Sequence, residues 1–365
     1  MRITFVIFAL DSGGAQRVMS TMANHWVACG RQVTIITVTG KGHDAFYPLS
    51  PGVHWIPLNE ARPARNVAQA MINNFRRLYR LRRRIRQSKP DVVISFLDTT
   101  NVLTLVATRA TRLPVIVEEH TDPNLSNLQQ PWKWLRAALY PRATRVIVLS
   151  ESSKRYFSTR IRRITEIIPN PVRVDPMSGP VVKSERPHVV SMGRFGPEKG
   201  FDQLIDAFAL IADRCPCWDL VIWGEGNLRA ELTAQIDRLG LTGRVRLPGN
   251  TVTPHDELRK AQIYALPSRR EGFPMALAEG MACGLAAVAF DLPSGPKAII
   301  RAGVDGLLVP MGDIPALADA LASLIMDERL RSEMSAKAPD VLERYGVAQV
   351  MAIWDDLLVE VATRR

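Results

Sequence analysis

The alternation of short apolar segments with helical stretches along the whole chain is the feature that most constrains its fold. This βα pattern is typical of a parallel sheet with crossover helices. It occurs on both sides of residues 169–187, a proline-rich stretch that predicts a linker. The strands predicted before the linker are Ile3–Ala9, Gln32–Thr37, Val92–Phe96, Val115–Glu118 and Arg145–Leu149. Those predicted after it are Val189–Met192, Leu220–Trp223, Val245–Leu247, Ile263–Leu266 and Ala286–Ala289.

The length of 365 residues suits two domains, each with its own core. We predict an α/β protein with two doubly wound, Rossmann-like domains over residues 1–172 and 187–344. Helices are expected at Ala15–Cys29 and Asn66–Gln87, and residues 345–365 form a helix that crosses back to the first domain. No apolar run approaches the roughly 20 residues that a membrane span needs. The four cysteines are scattered, which indicates a reducing, cytoplasmic setting.

Two carboxylates, Glu271 and Glu279, lie on either side of a predicted helix start. Pro274 suits the first turn of a helix, so Glu271 is expected in the preceding loop and Glu279 inside the helix. A helix N-terminus offers N–H groups and a positive dipole end to a phosphate. A loop carboxylate there can accept hydrogen bonds from sugar hydroxyls, and a helical one from a ribose. The stretch therefore predicts part of a nucleotide-sugar site.

A glycine-rich loop from Gly193 to Gly200 follows a predicted strand and carries two cations, Arg194 and Lys199. Such cations can neutralise the diphosphate of a nucleotide sugar. The chain contains no Asp-x-Asp triplet, which would otherwise suggest a metal bound to that diphosphate. Fixed cations and helix dipoles would then stabilise the departing nucleotide diphosphate. We therefore expect no metal and no cofactor.

In their order along the chain, these elements resemble those of retaining glycosyltransferases of family 4, which have the GT-B fold. The matching elements are Gly13-Gly14, His120, Arg194 with Lys199, Gly224-Glu225-Gly226, and the pair Glu271/Glu279. The resemblance implies that two Rossmann-like domains face each other across a cleft. It also implies sugar transfer with retention of configuration and no need for a metal.

The resemblance also implies a role for each matching residue. His120 contacts the transferred sugar near the reacting carbon, and with Glu271, Arg194 and Lys199 it completes the expected catalytic set. The expected donor-binding residues are Gly13, Gly14, Arg194, Lys199, Gly224, Glu225, Glu271, Phe273, Pro274, Met275 and Glu279. The segments Ile94–Asn101, Ser294–Lys297 and the Glu119-His120 pair are similar to those of bacterial N-acetylgalactosaminyltransferases that extend lipid-linked glycans.

Positive charge is concentrated before the linker. Residues 1–186 hold 28 Lys and Arg against 12 Asp and Glu, while the whole chain has a net charge of +11. Phe75, Leu78, Leu81 and Ile85 recur at helical spacing within a run of arginines, which predicts a basic amphipathic helix. The arginines expected to meet an anionic membrane or a lipid diphosphate are Arg76, Arg77, Arg80, Arg83 and Arg84. The alternative is a crossover helix whose arginines contact only solvent.

We therefore expect transfer of a hexose or N-acetylhexosamine, with N-acetylgalactosamine favoured, from a UDP-sugar to a polyprenyl-diphosphate-linked glycan. The enzyme would act as a peripheral protein at the cytoplasmic face of the cell membrane. A sugar-nucleotide epimerase with the same fold is an alternative. A nucleic-acid-binding protein is another, suggested by the sequence pI of about 9.9. No recognition-helix pattern or aromatic-rich strand motif supports binding to nucleic acid, so we expect none.

Overall fold

The computed structural model describes residues 1–11, 13–40, 45–60, 66–121, 123, 128–177 and 184–363. The chain forms two compact units. The first contains Met1–Pro171 and the C-terminal helix Val347–Thr363, and the second contains Val172–Gly346. The described residues of the predicted linker from Val172 onward thus belong to the second unit, and that unit ends two residues beyond the predicted boundary at 344.

The first unit is a parallel sheet with helical crossovers. Its strands are β1 Arg2–Ile7, β2 Gln32–Thr37, β3 Val53–Pro57, β4 Val92–Phe96, β5 Val115–Glu119, β6 Arg145–Val148 and β7 Thr165–Ile167. Its helices before the linker are α1 Gly14–Ala28, α2 Val67–Ser88, α3 Asp98–Thr108, α4 Gln130–Leu139, α5 Glu151–Tyr156 and α6 Thr159–Arg162, with a 3-10 turn at Tyr140–Arg142. The strand order is β3-β2-β1-β4-β5-β6-β7, which is a doubly wound arrangement.

The C-terminal helix packs on α1 of the first unit. The rings of Trp26 and Trp354 are both fully buried and meet edge to face, with 6.3 Å between their centroids. Nε1 of Trp26 donates a hydrogen bond to Asp355 Oδ1 at 2.8 Å, and Arg31 forms an ion pair with the same carboxylate. The last helix of the chain is therefore part of the core of the first unit.

The second unit repeats the same topology. Its strands are β8 His188–Met192, β9 Asp219–Trp223, β10 Val245–Gly249, β11 Ile263–Leu266, β12 Ala286–Asp291 and β13 Gly306–Pro310. Its helices are α7 Phe201–Ala209, α8 Arg229–Arg238, α9 Pro254–Arg259, α10 Met275–Ala282, α11 Pro296–Ile299, α12 Ile314–Met326, α13 Glu328–Lys337 and α14 Val341–Tyr345, with 3-10 turns at Pro197–Lys199 and Ala338–Asp340. The sheet order is β10-β9-β8-β11-β12-β13, and the ligands of such sheets bind beyond the carboxyl ends of the strands.

The two ends of the second unit lie side by side. The backbone N–H of Val172 donates a hydrogen bond to the carbonyl of Tyr345 at 2.7 Å, and Val172 forms a parallel bridge with Gly346. The N-terminal and C-terminal ends of the second unit are therefore adjacent.

All ten predicted strands are present, with ends that differ by at most two residues, and the two predicted helices are each displaced by one residue. Three strands were not predicted: β3, β7 and β13. In the part of the chain that the structure describes, no helix is both long enough and apolar enough to span a membrane.

Candidate active site

The glycine-rich loop after β8 is built against the turn after β9. The N–H of Gly193 donates to the carbonyl of Trp223 at 2.9 Å, and the N–H of Phe195 donates to the carbonyl of Glu225 at 2.8 Å. Gly224 has a φ of 144°, and a Cβ there would overlap the carbonyl oxygen of Gly193. The glycine is therefore required because two backbone segments meet closely. Gly224 thus supports the shape of the cation-bearing loop.

Lys199 and Glu271, 72 residues apart in the sequence, form an ion pair. Nζ of Lys199 lies 2.7 Å from Oε1 of Glu271, and Ser268 Oγ donates to the same oxygen at 2.7 Å. The Glu271 side chain is 9% exposed and that of Lys199 is 25% exposed. Ser294 fixes the backbone of this loop by donating from Oγ to the carbonyl of Glu271 at 2.7 Å. The two predicted site residues are therefore neighbours.

Arg194 pairs with a different carboxylate and is far more exposed than Lys199. It donates to Glu198 Oε1 at 2.6 Å, and its side chain is 75% exposed. Burial acts to raise the pKa of Glu198, but hydrogen bonds from its own backbone N–H and from Arg194 lower that pKa overall. An exposed ion pair of this kind contributes about 0–1 kcal/mol to stability, so breaking it costs little free energy.

Helix α10 follows the Glu271 loop and carries Glu279 on its buried side. The helix begins at Met275 with Pro274 as its N-cap residue, one position later than predicted, and no side chain caps it. Glu279 is 2% exposed. Gly280 allows the helix to lie directly on Tyr264 of β11, because a Cβ there would overlap the tyrosine ring. The carboxylate is therefore held in a tightly packed helix.

The other residues predicted to bind the donor in this unit differ in accessibility. Phe273 is 7% exposed, and its ring meets that of Tyr345 edge to face with 5.3 Å between centroids, so its side chain packs inside the unit. Glu225 is exposed and accepts two hydrogen bonds from Arg229, which lower the pKa of the Glu225 carboxyl. Among the described residues, no three His, Cys, Asp or Glu side chains form a cluster that would suit a metal ion.

The first unit places Gly13 and Gly14 at the start of α1, after β1. Gly13 is the N-cap residue of the helix, and its carbonyl accepts the N–H of Arg17 at 3.0 Å. Among the described residues, apart from its chain neighbours and the backbone of α1, no atom lies within 4 Å of a Cβ built on Gly14.

His120 directly follows β5 and lies beside Glu118. Nε2 of His120 is 3.2 Å from Oε1 of Glu118, and the imidazole stacks on Phe96 with 5.1 Å between ring centroids. Among the described residues, no group donates a hydrogen bond to Oε2 of Glu118, although this side chain is 2% exposed. The prediction from the sequence included His120 but missed Glu118. Side chains two residues apart along a strand lie on the same face of the sheet, and this spacing could have indicated Glu118.

Glu119 faces the opposite side of β5 and belongs to a separate buried network. The hydroxyl of Tyr140 donates to its carboxylate, Asn101 donates to that hydroxyl at 3.1 Å, and Arg136 lies 3.7 Å away. Burial raises the pKa of Glu119 to about 7, although Arg136 and Tyr140 act to lower it. The predicted Glu119-His120 pair is thus divided between the two faces of the sheet.

Helix α2 uses its apolar side for the core of the first unit. Leu81 and Ile85 are fully buried, whereas Phe75 is 74% exposed. The predicted apolar stripe therefore does not form one free surface. Arg77 donates to the carbonyl of Glu60 at 3.1 Å, and Arg80 forms an ion pair with the Glu60 carboxylate at 2.6 Å.

The outward side of α2 combines aromatic, aliphatic and basic residues. At 3.6 residues per turn, one exposed stripe contains Ile72, Phe75, Arg76, Tyr79, Arg83 and Arg86. We call these six residues the outer stripe. The apolar members lie in its N-terminal half and most of the cations in its C-terminal half. Of the five arginines predicted for membrane or acceptor contact, Arg76 and Arg83 belong to it, and Arg80 and Arg84 are exposed beside it.

Comparison with known proteins agrees with the fold. The model of glycosyltransferase family 4 matches residues 12–176, and that of group 1 glycosyl transferases matches residues 178–341. The chain is 29% identical over 363 residues, 99% of each chain, to the GalNAc-α-(1→4)-GalNAc-α-(1→3)-diNAcBac-PP-undecaprenol α-1,4-N-acetyl-D-galactosaminyltransferase of Campylobacter jejuni. The chain therefore belongs to the family 4 glycosyltransferases with the GT-B fold.

Two solved structures show the same fold. The sucrose-phosphate synthase of Thermosynechococcus elongatus superimposes with a TM-score of 0.83, covering 100% of each chain at 17% identity. The HepE protein of Anabaena, crystallised with UDP, gives a TM-score of 0.77 at 19% identity and covers 99% of this chain and 100% of its own.

Proposed function

We propose that this glycosyltransferase moves a hexose or N-acetylhexosamine, with N-acetylgalactosamine favoured, from a UDP-sugar to a polyprenyl-diphosphate-linked glycan with retention of configuration. The observation that carries the proposal is the meeting of Lys199 with Glu271, next to Ser268, in the unit that also holds Arg194 and Glu279. Lys199, the proposed cation for the diphosphate, is thus next to Glu271, the proposed acceptor for sugar hydroxyls. The C. jejuni relative, whose name specifies an undecaprenyl-diphosphate acceptor, supports the acceptor class.

Arg194 and Lys199 supply fixed positive charge for the nucleotide diphosphate as the glycosidic bond to phosphate breaks. Glu271 accepts hydrogen bonds from hydroxyls of the transferred sugar, and Glu279 accepts them from the ribose. The acceptor hydroxyl attacks the anomeric carbon on the face that the phosphate leaves. A leaving phosphate oxygen takes the hydroxyl proton, so no separate base or metal is needed.

Of the residues in the first unit, His120 is proposed to contact the transferred sugar, with Glu118 holding its imidazole. Gly13 and Gly14 bring backbone N–H groups to the donor. The outer stripe of α2 suits an anionic membrane surface, because aromatic side chains insert at the headgroup level while arginines attract anionic lipids. We therefore propose that the enzyme acts as a peripheral protein at the cytoplasmic face of the membrane.

The test is an in vitro transfer assay with a panel of UDP- and GDP-sugars and a polyprenyl-diphosphate-linked saccharide. NMR of the product's anomeric centre should show the same configuration as the donor. The donor incubated alone should not change its stereochemistry, since a change would indicate an epimerase. An inverted linkage in the product would contradict the retaining mechanism.

A further inference from the structure

His255 is a buried histidine outside the proposed catalytic set, and it lies behind the proposed ribose ligand. It stands at the start of α9, which packs against α10, and is 3% exposed. Its Nε2 atom is 4.0 Å from Oε2 of Glu279, whose side chain is equally buried. Its other ring nitrogen faces Asp175, in the segment of residues 172–177 that begins the second unit.

The contact with Asp175 determines where the imidazole carries its proton. The backbone N–H of Asp175 donates to Nδ1 of His255 at 3.0 Å, so a neutral ring must carry its proton on Nε2. The Asp175 carboxylate is also 3.2 Å from Nδ1 and would pair with a doubly protonated ring. In both charge states Nε2 is a donor, and it faces Glu279.

A buried carboxylate benefits from a donor that fixes its rotation. The terminal torsion of a glutamate is broad, so packing alone does not set the plane of its two oxygens. At 4.0 Å the contact is longer than a hydrogen bond, but the Nε2–H dipole attracts the nearer oxygen, Oε2, and thereby favours one orientation of the Glu279 carboxylate. Oriented, partly buried groups lose less entropy when they bind a ligand than freely rotating ones do.

We propose that His255 is a positioning residue for Glu279: held by Asp175 through Nδ1, it directs Nε2–H at the carboxylate and orients it toward the ribose hydroxyls of the donor. The inference rests on the proposed function, because it takes Glu279 as the ribose ligand. Asp175, near the start of the second unit, would then affect ribose binding through His255 of α9.

Two substitutions of His255 distinguish the effect of its Nε2–H donor from the effect of its packing. His255→Gln retains an N–H near the position of Nε2, whereas His255→Leu fills the site with an apolar side chain of similar size. Arg259→Met is the matched control. Arg259 holds the same segment by donating to the carbonyl of Asp175 at 2.6 Å, and its guanidinium also pairs with Asp256 at 3.2 Å. Glu279→Gln is the reference for a weakened ribose contact.

The measurement is the affinity of each variant for UDP, 2′-deoxy-UDP and 3′-deoxy-UDP by calorimetry. The wild type should prefer UDP to at least one deoxy analogue. Glu279→Gln weakens the proposed ribose hydrogen bonds and should reduce this preference by about 10-fold. His255→Leu removes the group that orients the carboxylate and should reduce the preference in the same direction. His255→Gln and Arg259→Met should keep it. A general structural role for His255 would weaken all three nucleotides equally and leave their ratio unchanged.

The outcomes separate the inference from the proposed function. If Glu279→Gln loses the preference and His255→Leu keeps it, the role of His255 is wrong and the ribose contact stands. If both keep it, the ribose contact is wrong and the inference falls with it. A wild type that does not bind UDP contradicts the proposed donor.

The ring itself can be observed without any nucleotide. ¹⁵N NMR of the histidine side chains, with His255 assigned by its loss in His255→Gln, should show a proton on Nε2 from pH 6 to 8. A ring protonated on Nδ1 alone would overturn the inference, whatever the nucleotide affinities.

Discussion

The ammonium of Lys199 lies 2.7 Å from the carboxylate of Glu271, across 72 residues of sequence. Each of the two groups is thereby held by a partner of opposite charge. The pair is about three-quarters or more buried, so it is screened less by solvent than a surface pair. Arg194, by contrast, pairs with Glu198 and has a side chain that is 75% exposed.

Replacing either proposed diphosphate cation should reduce turnover. Arg194→Ala and Lys199→Ala should each lower kcat by about 10²–10³, since a preorganised charge on the leaving group is lost. Arg329→Ala is the matched control for Arg194, because Arg329 and Glu333 form the same kind of exposed i,i+4 pair. The measurement is the initial rate of transfer with saturating donor. Near-normal rates in both site variants would exclude the diphosphate assignment.

Chelation should leave activity unchanged. The proposed leaving-group charge is stabilised by Arg194, Lys199 and the N-terminus of α10, and these do not respond to EDTA. Transfer rates before and after EDTA treatment, with and without added manganese or magnesium, provide the check. A complete loss that either metal restores would show that a metal holds the diphosphate.

Glu118 and Glu119 should differ in their effect on catalysis although they are adjacent. Glu118→Gln removes the charge 3.2 Å from Nε2 of His120 and should lower kcat on the order of 10-fold through loss of positioning. Glu119→Gln alters the opposite face of β5 and should leave kcat nearly unchanged. The comparison is made at a pH where both variants are folded. Equal effects of the two changes would contradict a specific role for Glu118.

Glu119 should make the stability of the protein depend on pH. Its folded-state pKa is raised to about 7, so the folded state favours the protonated carboxyl. The stabilisation is complete below the unfolded-state pKa and is lost as pH rises through about 7. Relative to Glu119→Gln, the wild type should therefore lose on the order of 3 kcal/mol between pH 4 and pH 8. Urea unfolding at several pH values measures this difference, and parallel curves for the two proteins would refute it.

The outer stripe should bind anionic membranes. Replacing Arg76, Arg83 and Arg86 by Gln should weaken binding to phosphatidylglycerol liposomes by about 1 kcal/mol for each arginine at low salt. The matched control replaces Arg155, Arg160 and Arg163, which are exposed arginines elsewhere in the first unit and carry the same total charge. Sedimentation with liposomes measures binding. Equal losses in both triple variants would indicate nonspecific attraction, and no loss in either would leave α2 as a solvated crossover helix.

The fold was largely predictable because central strands of a parallel sheet are buried on both faces and therefore form continuous apolar runs. The strands that were missed, β3, β7 and β13, are all at sheet edges. β3 mixes polar with apolar residues, β7 has only three residues, and β13 is bounded by Gly306 and Pro310, which predict turns.

The sequence indicates candidate site residues but not the contacts between them. Loops at the carboxyl ends of parallel strands indicate Arg194, Lys199 and Glu271, yet nothing in the spacing predicts which cation meets which carboxylate. Periodicity also does not say what an apolar stripe faces. Leu81 and Ile85 were grouped with Phe75, but the first two lie in the core and the third is exposed.

The bridge between Val172 and Gly346 affects how the second unit could be produced apart from the first. Because both ends of the second unit emerge at one point, residues 172–346 have the layout of an insertion: one continuous piece with adjacent termini. Such a piece can be expressed alone or circularly permuted with a short connecting peptide. The first unit consists of two chain segments, 1–171 and 347–365. To be produced alone it would need a peptide joining residue 171 to residue 347, since the C-terminal helix completes its core.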